Sequence, residues 1–431
     1  MTRAMKDSGI EWIGQIPENW NITKIGWNSK FINGYAFKGE NLDIEKEVPV
    51  IRIGDIQQGT IDYSNCLKYD QNENLDAYRL KNKDIVIAMS GATTGKTAYL
   101  KEAPLAYINQ RVGIVRGCSK YCYYCFQVDG FFQYISLLSA GSAQPNISMG
   151  QIQGFKIPFI SDKEQQKIAD YLDKRCEKID TAIDNQKQII EKLKEYKQSL
   201  ITETVTKGLN PNVKLKDSGI EWIGSIPEHW QDIKLKFNSY IRARLGWKGL
   251  KAEEYVEQGY PLLSAFNIIN NKLVFEDLKF INQMRYDESP EIKLQKDDIL
   301  LVKDGAGIGK CALVTNLPFP STVNGSIAVV TTNKNLTSKF LYYYFLSELF
   351  QAYIERLKDG MGVPHLFQSD LKEICIVSPN KLEQKEITEY LDKKCNQIDE
   401  AIKQKEETIN KLEEYKKSLI FECVTGKKEV A

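Results

Sequence analysis

The sequence predicts a mixed α/β fold written twice. Two duplicated α/β domains are separated by a pair of long antiparallel coiled-coil helices, giving a pseudo-two-fold internal repeat. Three observations predict it. KDSGIEWIGQIPENW at 6–20 returns as KDSGIEWIGSIPEHW at 216–230, differing only at Gln15/Ser225 and Asn19/His229. The segment from Glu164 to Thr206 returns from Glu383 to Thr425 with 24 of 43 ungapped positions identical, so both copies descend from one unit. Between these anchors, KDIVIAMSGATTGK at 83–96 answers DDILLVKDGAGIGK at 297–310. The offset grows from 210 (6 to 216) through 214 (96 to 310) to 219 (164 to 383), which places the insertions in the middle segments.

Each half therefore reads as a short box, a variable domain and a closing helix. The expected divisions are 1–160 for the N-terminal box and first domain, and 161–208 for the first long helix. The linker box and second domain take 209–378, and the second long helix and tail take 379–431. The helices follow from spacing. Leu172, Cys176, Ile179, Ile183, Ile190, Leu193 and Leu200 step by threes and fours, as do Leu391, Cys395, Ile398, Ile402, Ile409, Leu412 and Leu419. Such a seam requires a partner helix. Gln186 and Lys197 interrupt it in one copy, and Lys405 and Lys416 at the same places in the other. About 42 residues at 1.5 Å rise span roughly 60 Å, too long to fold back on one domain. The two helices pairing with each other is the simplest arrangement; pairing with other proteins is the alternative.

Composition narrows the class without naming a function. With 431 residues, 27% charged and 42% hydrophobic, the chain suits a multidomain globular protein. The N-terminus lacks an apolar signal-peptide core, and no apolar run approaches the 18 or so residues needed to span a bilayer. Nine scattered cysteines, an odd number, fit reduced thiols and a cytoplasmic location. The net charge of +1 leaves local patches hidden in the sum.

Two stretches imitate enzymes. CSKYCYYC at 118–125 has the C-x3-C-x2-C spacing with which radical enzymes hold an iron–sulfur cluster. The repeat supplies a control: Cys118, Cys122 and Cys125 align with Thr337, Leu341 and Tyr344. Cysteines exchangeable with leucine behave as buried hydrophobes, so this segment is read as core and no metal site is assigned. SGATTGKT at 90–97 imitates a phosphate-binding loop, but Ser90 occupies the first glycine position and copy two has Asp304 and Cys311. Both copies nevertheless keep two glycines and then Lys96 or Lys310. That pattern suits a turn approaching a nucleic-acid phosphate, or simply a tight hairpin with a solvated lysine. Only two histidines occur, His229 and His365, and copy one replaces both with asparagine. No catalytic residue is assigned. The chain reads as a binder.

Two similar but diverged domains on a spacer suit a ligand with two unlike half-sites, and DNA is such a ligand. Residues 231–252 carry Lys234, Lys236, Arg242, Arg244, Lys248 and Lys251 against one acid, Asp232. This is a DNA-facing run or merely an exposed face. The candidate DNA contacts are Arg52, Lys96, Gln110 and Arg111 in the first domain, and Arg242, Arg244, Lys248, Asn267, Lys310 and Asn324 in the second. A bivalent protein-binding scaffold with a coiled-coil spacer is the rival from another class.

The order box, domain, helix, twice over, resembles the DNA-specificity subunit of type I restriction–modification systems across essentially the whole chain. SGIEWIGQIPENW, IRIGDIQQG, GATTGK and NISMGQIQGFKIPFISDKEQQKIADYLD carry the resemblance, with their partners in copy two. Copy two departs at PLLSAFNIINN, which lacks the arginine of PVIRIGDIQQ. The resemblance implies two target-recognition domains, 21–160 and 231–378, each reading one half of a split double-stranded DNA target. It implies helices that set the gap and dock two modification subunits, with two restriction subunits added. The subunit is then non-catalytic, with no cofactor of its own; S-adenosylmethionine, ATP and Mg2+ are expected on the partners.

Overall fold

The computed structural model describes residues 3–430 apart from 26, 28, 58, 140–144, 245–249 and 359–364. The chain divides into two compact units, residues 1–186 with 406–431, and residues 187–405. The cut does not fall at the expected edges near 160 and 378, because each unit takes half of each long helix.

In the first unit an antiparallel sheet is formed by β1 (Lys30–Asn33), β3 (Ile85–Ala88), β4 (Thr97–Tyr99) and β6 (Val112–Arg116), in the order β4-β3-β6-β1. Beside it, β2 (Val48–Ile51) pairs in parallel with β5 (Tyr107–Ile108). Strand β3 reads IVIA without alternation because both of its faces are covered. Ile85 and Ile87 join the cluster under helices α1 (Lys120–Cys125) and α2 (Asp129–Leu138), while Val86 and Ala88 join a second cluster on the opposite face. The second unit repeats this plan. β7 (Ser239–Ala243), β9 (Ile299–Val302), β10 (Cys311–Leu313) and β12 (Ile327–Thr332) follow the order β7-β12-β9-β10. β8 (Tyr260–Leu263) again runs parallel to a two-residue strand, β11 (Thr322–Val323).

The first long helix spans Asp162–Lys207 and the second Lys381–Val424. Ser161 accepts from the Glu164 amide at 3.3 Å and returns its hydroxyl to the Glu164 carboxylate at 3.0 Å, closing the open N-terminal turn. Asn380 accepts from the Leu382 and Glu383 amides at the start of the second helix.

Within the first unit, Leu172, Cys176, Ile179 and Ile183 pack with Leu419, Ile420, Cys423 and Val424 of the other helix. Within the second unit, Leu200, Ile201 and Val205 share a cluster with Leu391 and Cys395. The intramolecular antiparallel pair is therefore correct. The polar interruptions of the seam have a reason too. Lys416 reaches Asp180 at 2.6 Å in one unit, and its repeat-mate Lys197 reaches Asp399 at 2.6 Å in the other. Both pairs sum to 596, so a single register serves both.

The boxes close the units. In the first, Ile13, Ile16 and Trp20 of the N-terminal box pack with Cys423 and Val424, and Lys427 donates to the Ile13 carbonyl at 2.9 Å. In the second, Ile223, Ile226 and Trp230 of the linker box pack with Ile201 and Val205, and the Trp230 indole donates to Glu383 at 3.0 Å.

Candidate nucleic-acid interface

In the first unit the ends of β2, β3 and β5 bring three turns together. The Asn109 amide donates to the Ile51 carbonyl at 2.9 Å, setting Gln110 and Arg111 beside the Arg52 turn. The Met89 amide donates to the Arg111 carbonyl at 2.9 Å, and the Gly91 amide to the Pro145 carbonyl at 3.0 Å. Arg111 then reaches Asn146 Oδ1 at 3.1 Å, while Arg52 lies 3.8 Å from Asp55 in its own turn. Arg52, Gln110 and Arg111 thus share one surface with the glycine turn, and Gln110 and Arg111 are exposed. Asn146 belongs to the same surface. Its alignment with His365 was the signal for it, but nothing in the sequence put it next to Arg111.

The second unit builds the same scaffold with other side chains. The Asn324 amide donates to the Leu263 carbonyl at 2.9 Å, and Asp304 bridges to His365 where Ser90 meets Asn146. Asn324 lines this surface, but its Oδ1 holds the Ser326 amide at 3.1 Å and the Ser326 hydroxyl at 2.6 Å. Asn267 is turned inward, only 7% exposed; its Oδ1 accepts from the Ser264 amide at 2.9 Å and its Nδ2 donates to the Glu276 carbonyl. Asn267 builds the turn rather than facing a ligand.

The basic run at 231–252 is only in part the exposed face its composition suggests: Lys234, Lys236 and Lys251 are exposed, but the two arginines are not. Arg242 is 9% exposed and donates to Asp298 at 2.8 Å. Arg244 is 7% exposed, donating to Ser289 at 3.2 Å, and its Nη2 has no partner among the described residues. Lys234 and Lys236 both pair with Glu373. The two arginines fold the domain: a buried guanidinium needs a partner more than it can reach a phosphate. Lys248 lies outside the described residues. Lys310 is exposed at the end of its turn, and Lys96, its counterpart, is half-buried.

The glycines of that turn answer to packing. Gly95 has φ +88° and Gly309 φ +88°, a region that β-carbons resist. A Cβ on Gly95 would stand 2.6 Å from Ile135 Cδ1 on α2. Gly95→Ala is expected to lower first-unit stability by about 1–3 kcal/mol, read by thermal unfolding. An unchanged melting curve would show that the turn relaxes freely.

The cysteine triplet lies in the core. Cys122 and Cys125 are buried, Cys118 sits 2.8 Å from the Ser29 hydroxyl, and burial pushes the Cys125 thiol far above its ordinary range. Among the described residues no group of His, Cys, Asp and Glu is arranged to hold a metal ion.

Two diverged copies of one scaffold, each presenting different side chains at the same strand ends, define a two-domain recognition protein. The family model for the type I restriction modification DNA specificity domain matches residues 17–195 and again 237–411. The chain belongs to the type I restriction–modification DNA specificity family. It is 25% identical over 425 residues to the MjaVIII specificity subunit of Methanocaldococcus jannaschii, covering 96% of this chain and 94% of that one. Against the EcoKI specificity subunit of Escherichia coli the figures are 24% identity, 96% and 90%. Among solved structures, a type I restriction–modification chain, from work on that system's complex assembly and conformational transition, superposes with a TM-score of 0.72 at 14% identity. It covers 96% of this chain and 99% of that one. The HsdS subunit of Thermoanaerobacter tengcongensis gives 0.53 at 13% identity, covering 96% and 98%.

Proposed function

We propose that the chain reads a split DNA target, domain 21–160 taking one half-site and domain 231–378 the other. The carrying observation is the shared scaffold with exchanged side chains. Arg52, Gln110 and Arg111 stand at strand ends where copy two has Ser264, Gly325 and Ser326. Different donors at the same place are what two unlike half-sites demand. The paired helices act as the ruler between half-sites and as the docking surface for two modification subunits, with two restriction subunits completing the complex. Methyl transfer, using S-adenosylmethionine, and ATP- and Mg2+-dependent cleavage belong to those partners, and the assembly works in the cytoplasm. No helix of the described residues is long and apolar enough to cross a membrane.

The test is Arg111→Ala in the complex co-expressed with its modification subunits, with methylated adenines mapped on random-sequence DNA. The expected result is a loss of about 1–3 kcal/mol confined to the first half-site. Equal loss across all sequences would make Arg111 a phosphate anchor, and no selection of a split motif by the wild-type complex would sink the DNA reading itself.

A further inference from the structure

Of the phenylalanines that the second unit leaves exposed, Phe237, Phe266, Phe319 and Phe367, two stand at the candidate interface. Phe266 is 90% exposed and Phe367 54% exposed. They replace Gly54 and Ser148 at the matching positions of the first unit, so they belong to one domain alone. Both flank the glycine turn of the candidate interface. Ala265 Cβ lies 3.9 Å from where a Cβ on Gly307 would stand, and Asp304 on the other side pairs with His365, two residues before Phe367.

Neither ring hangs on loose chain. The turn bearing Phe266 is closed by the Asn267 amide donating to the Ser264 carbonyl at 3.0 Å, and by the Val274 amide donating to the Asn267 carbonyl at 2.9 Å. The buried Asn267 side chain locks it from beneath. Phe367 follows Leu366, whose amide donates to the Lys303 carbonyl at 2.9 Å, and its ring stands 4.3 Å from the His365 ring. Large apolar side chains held outward by hydrogen-bonded turns at a candidate interface are available for contact with a ligand. Asp304 pairs with Lys303 and His365, the Asp370 carboxylate accepts from the Phe367 amide at 3.3 Å, and Lys310 presents an exposed ammonium at the end of the same turn.

Resting on the DNA reading proposed above, we propose that Phe266, flanked by Phe367, makes the apolar base contact by which the second domain recognises its half-site. A ring there meets a thymine methyl or a base face, contacts that carry sequence information, while the neighbouring cations meet phosphates. The first domain, with glycine and serine at these places, reads through polar groups instead. This also supplies what copy two lacks where Arg52 stands in copy one.

The test uses the whole complex with its modification subunits and a randomised DNA library, comparing wild type with Phe266→Gly, Phe266→Leu and Phe367→Ser. Phe266→Gly installs the residue of the first domain on an exposed turn. It is expected to lower discrimination about tenfold at one or two positions of the second half-site, with the first half-site unchanged. Phe266→Leu should keep most of that discrimination, and Phe367→Ser should lower it less than Phe266→Gly does. Unchanged preferences in Phe266→Gly, or a uniform loss over all sequences, would overturn the proposal. Failure of the wild-type complex to select any split motif would instead remove the DNA reading beneath it.

Discussion

Asp298→Ala is expected to unfold the second domain's sheet well before any other single change proposed here. Asp298 is fully buried at the start of β9. Its carboxylate accepts from Arg242 Nη2 at 2.8 Å, from the Gln295 amide at 2.8 Å, and from the Thr331 hydroxyl. Removing it strands a guanidinium that is itself 9% exposed, and breaking a buried pair from one side costs about 3–5 kcal/mol. Replacing both partners with apolar residues of similar volume, as in Arg242→Met with Asp298→Leu, should restore much of that loss. Urea unfolding of the three variants checks it; a double variant as unstable as the single one would refute the account. The first domain offers the comparison. Its buried Asp84 is held by Arg116 at 2.8 and 2.7 Å, but Arg116 keeps 23% of its side chain exposed, so Asp84→Ala should cost less.

The second large effect concerns the spacer. Deleting residues 187–193 together with 403–409 removes one heptad from each long helix. Both Asp180–Lys416 and Asp399–Lys197 survive the deletion, and because seven residues make two turns the apolar seam stays in phase. Seven residues at 1.5 Å amount to about 10 Å, or roughly three base pairs at 3.4 Å each. The expected outcome is a target with both half-sites intact and a gap shorter by about that amount, read by methylation mapping. Changed half-sites with an unchanged gap would refute the ruler. Deleting the heptad from one helix alone should leave at most one of the two ion pairs in register and destabilise the pairing.

Much of this architecture is legible in the chain because it is repeated. Periodicity gives the helices, since burying a seam over 40 residues requires apolar residues every third and fourth position. The repeat also exposes Cys122 as core, because a site that accepts Leu341 in the other copy holds no cluster. Local composition fails where a charge's fate depends on distant residues. Arg242 and Arg244 read as surface cations, yet the sheet turns Arg242 onto Asp298, 56 positions away. The aspartate is retained at Asp84 and Asp298, while its arginine moves from β6 in one copy to the neighbouring β7 in the other; no linear pattern records that exchange. Phe266 was invisible for the opposite reason, since an apolar residue between Ala265 and Asn267 reads as core until its turn is seen to face outward.

Fold class, duplication, the two long helices and the polar positions in their seams were thus determined by sequence alone, because each rests on spacing within a segment or on its return in the second copy. Tertiary structure decided which cations face solvent, which turns converge at the strand ends, and how each unit is closed. The first box, at 6–20, is completed by residues 419–427, some four hundred positions later, where Lys427 caps the Ile13 carbonyl and Val424 accepts from the Tyr121 hydroxyl. Contacts of that range are chosen by packing and by satisfying buried polar groups, and neither is written in the order of neighbouring residues.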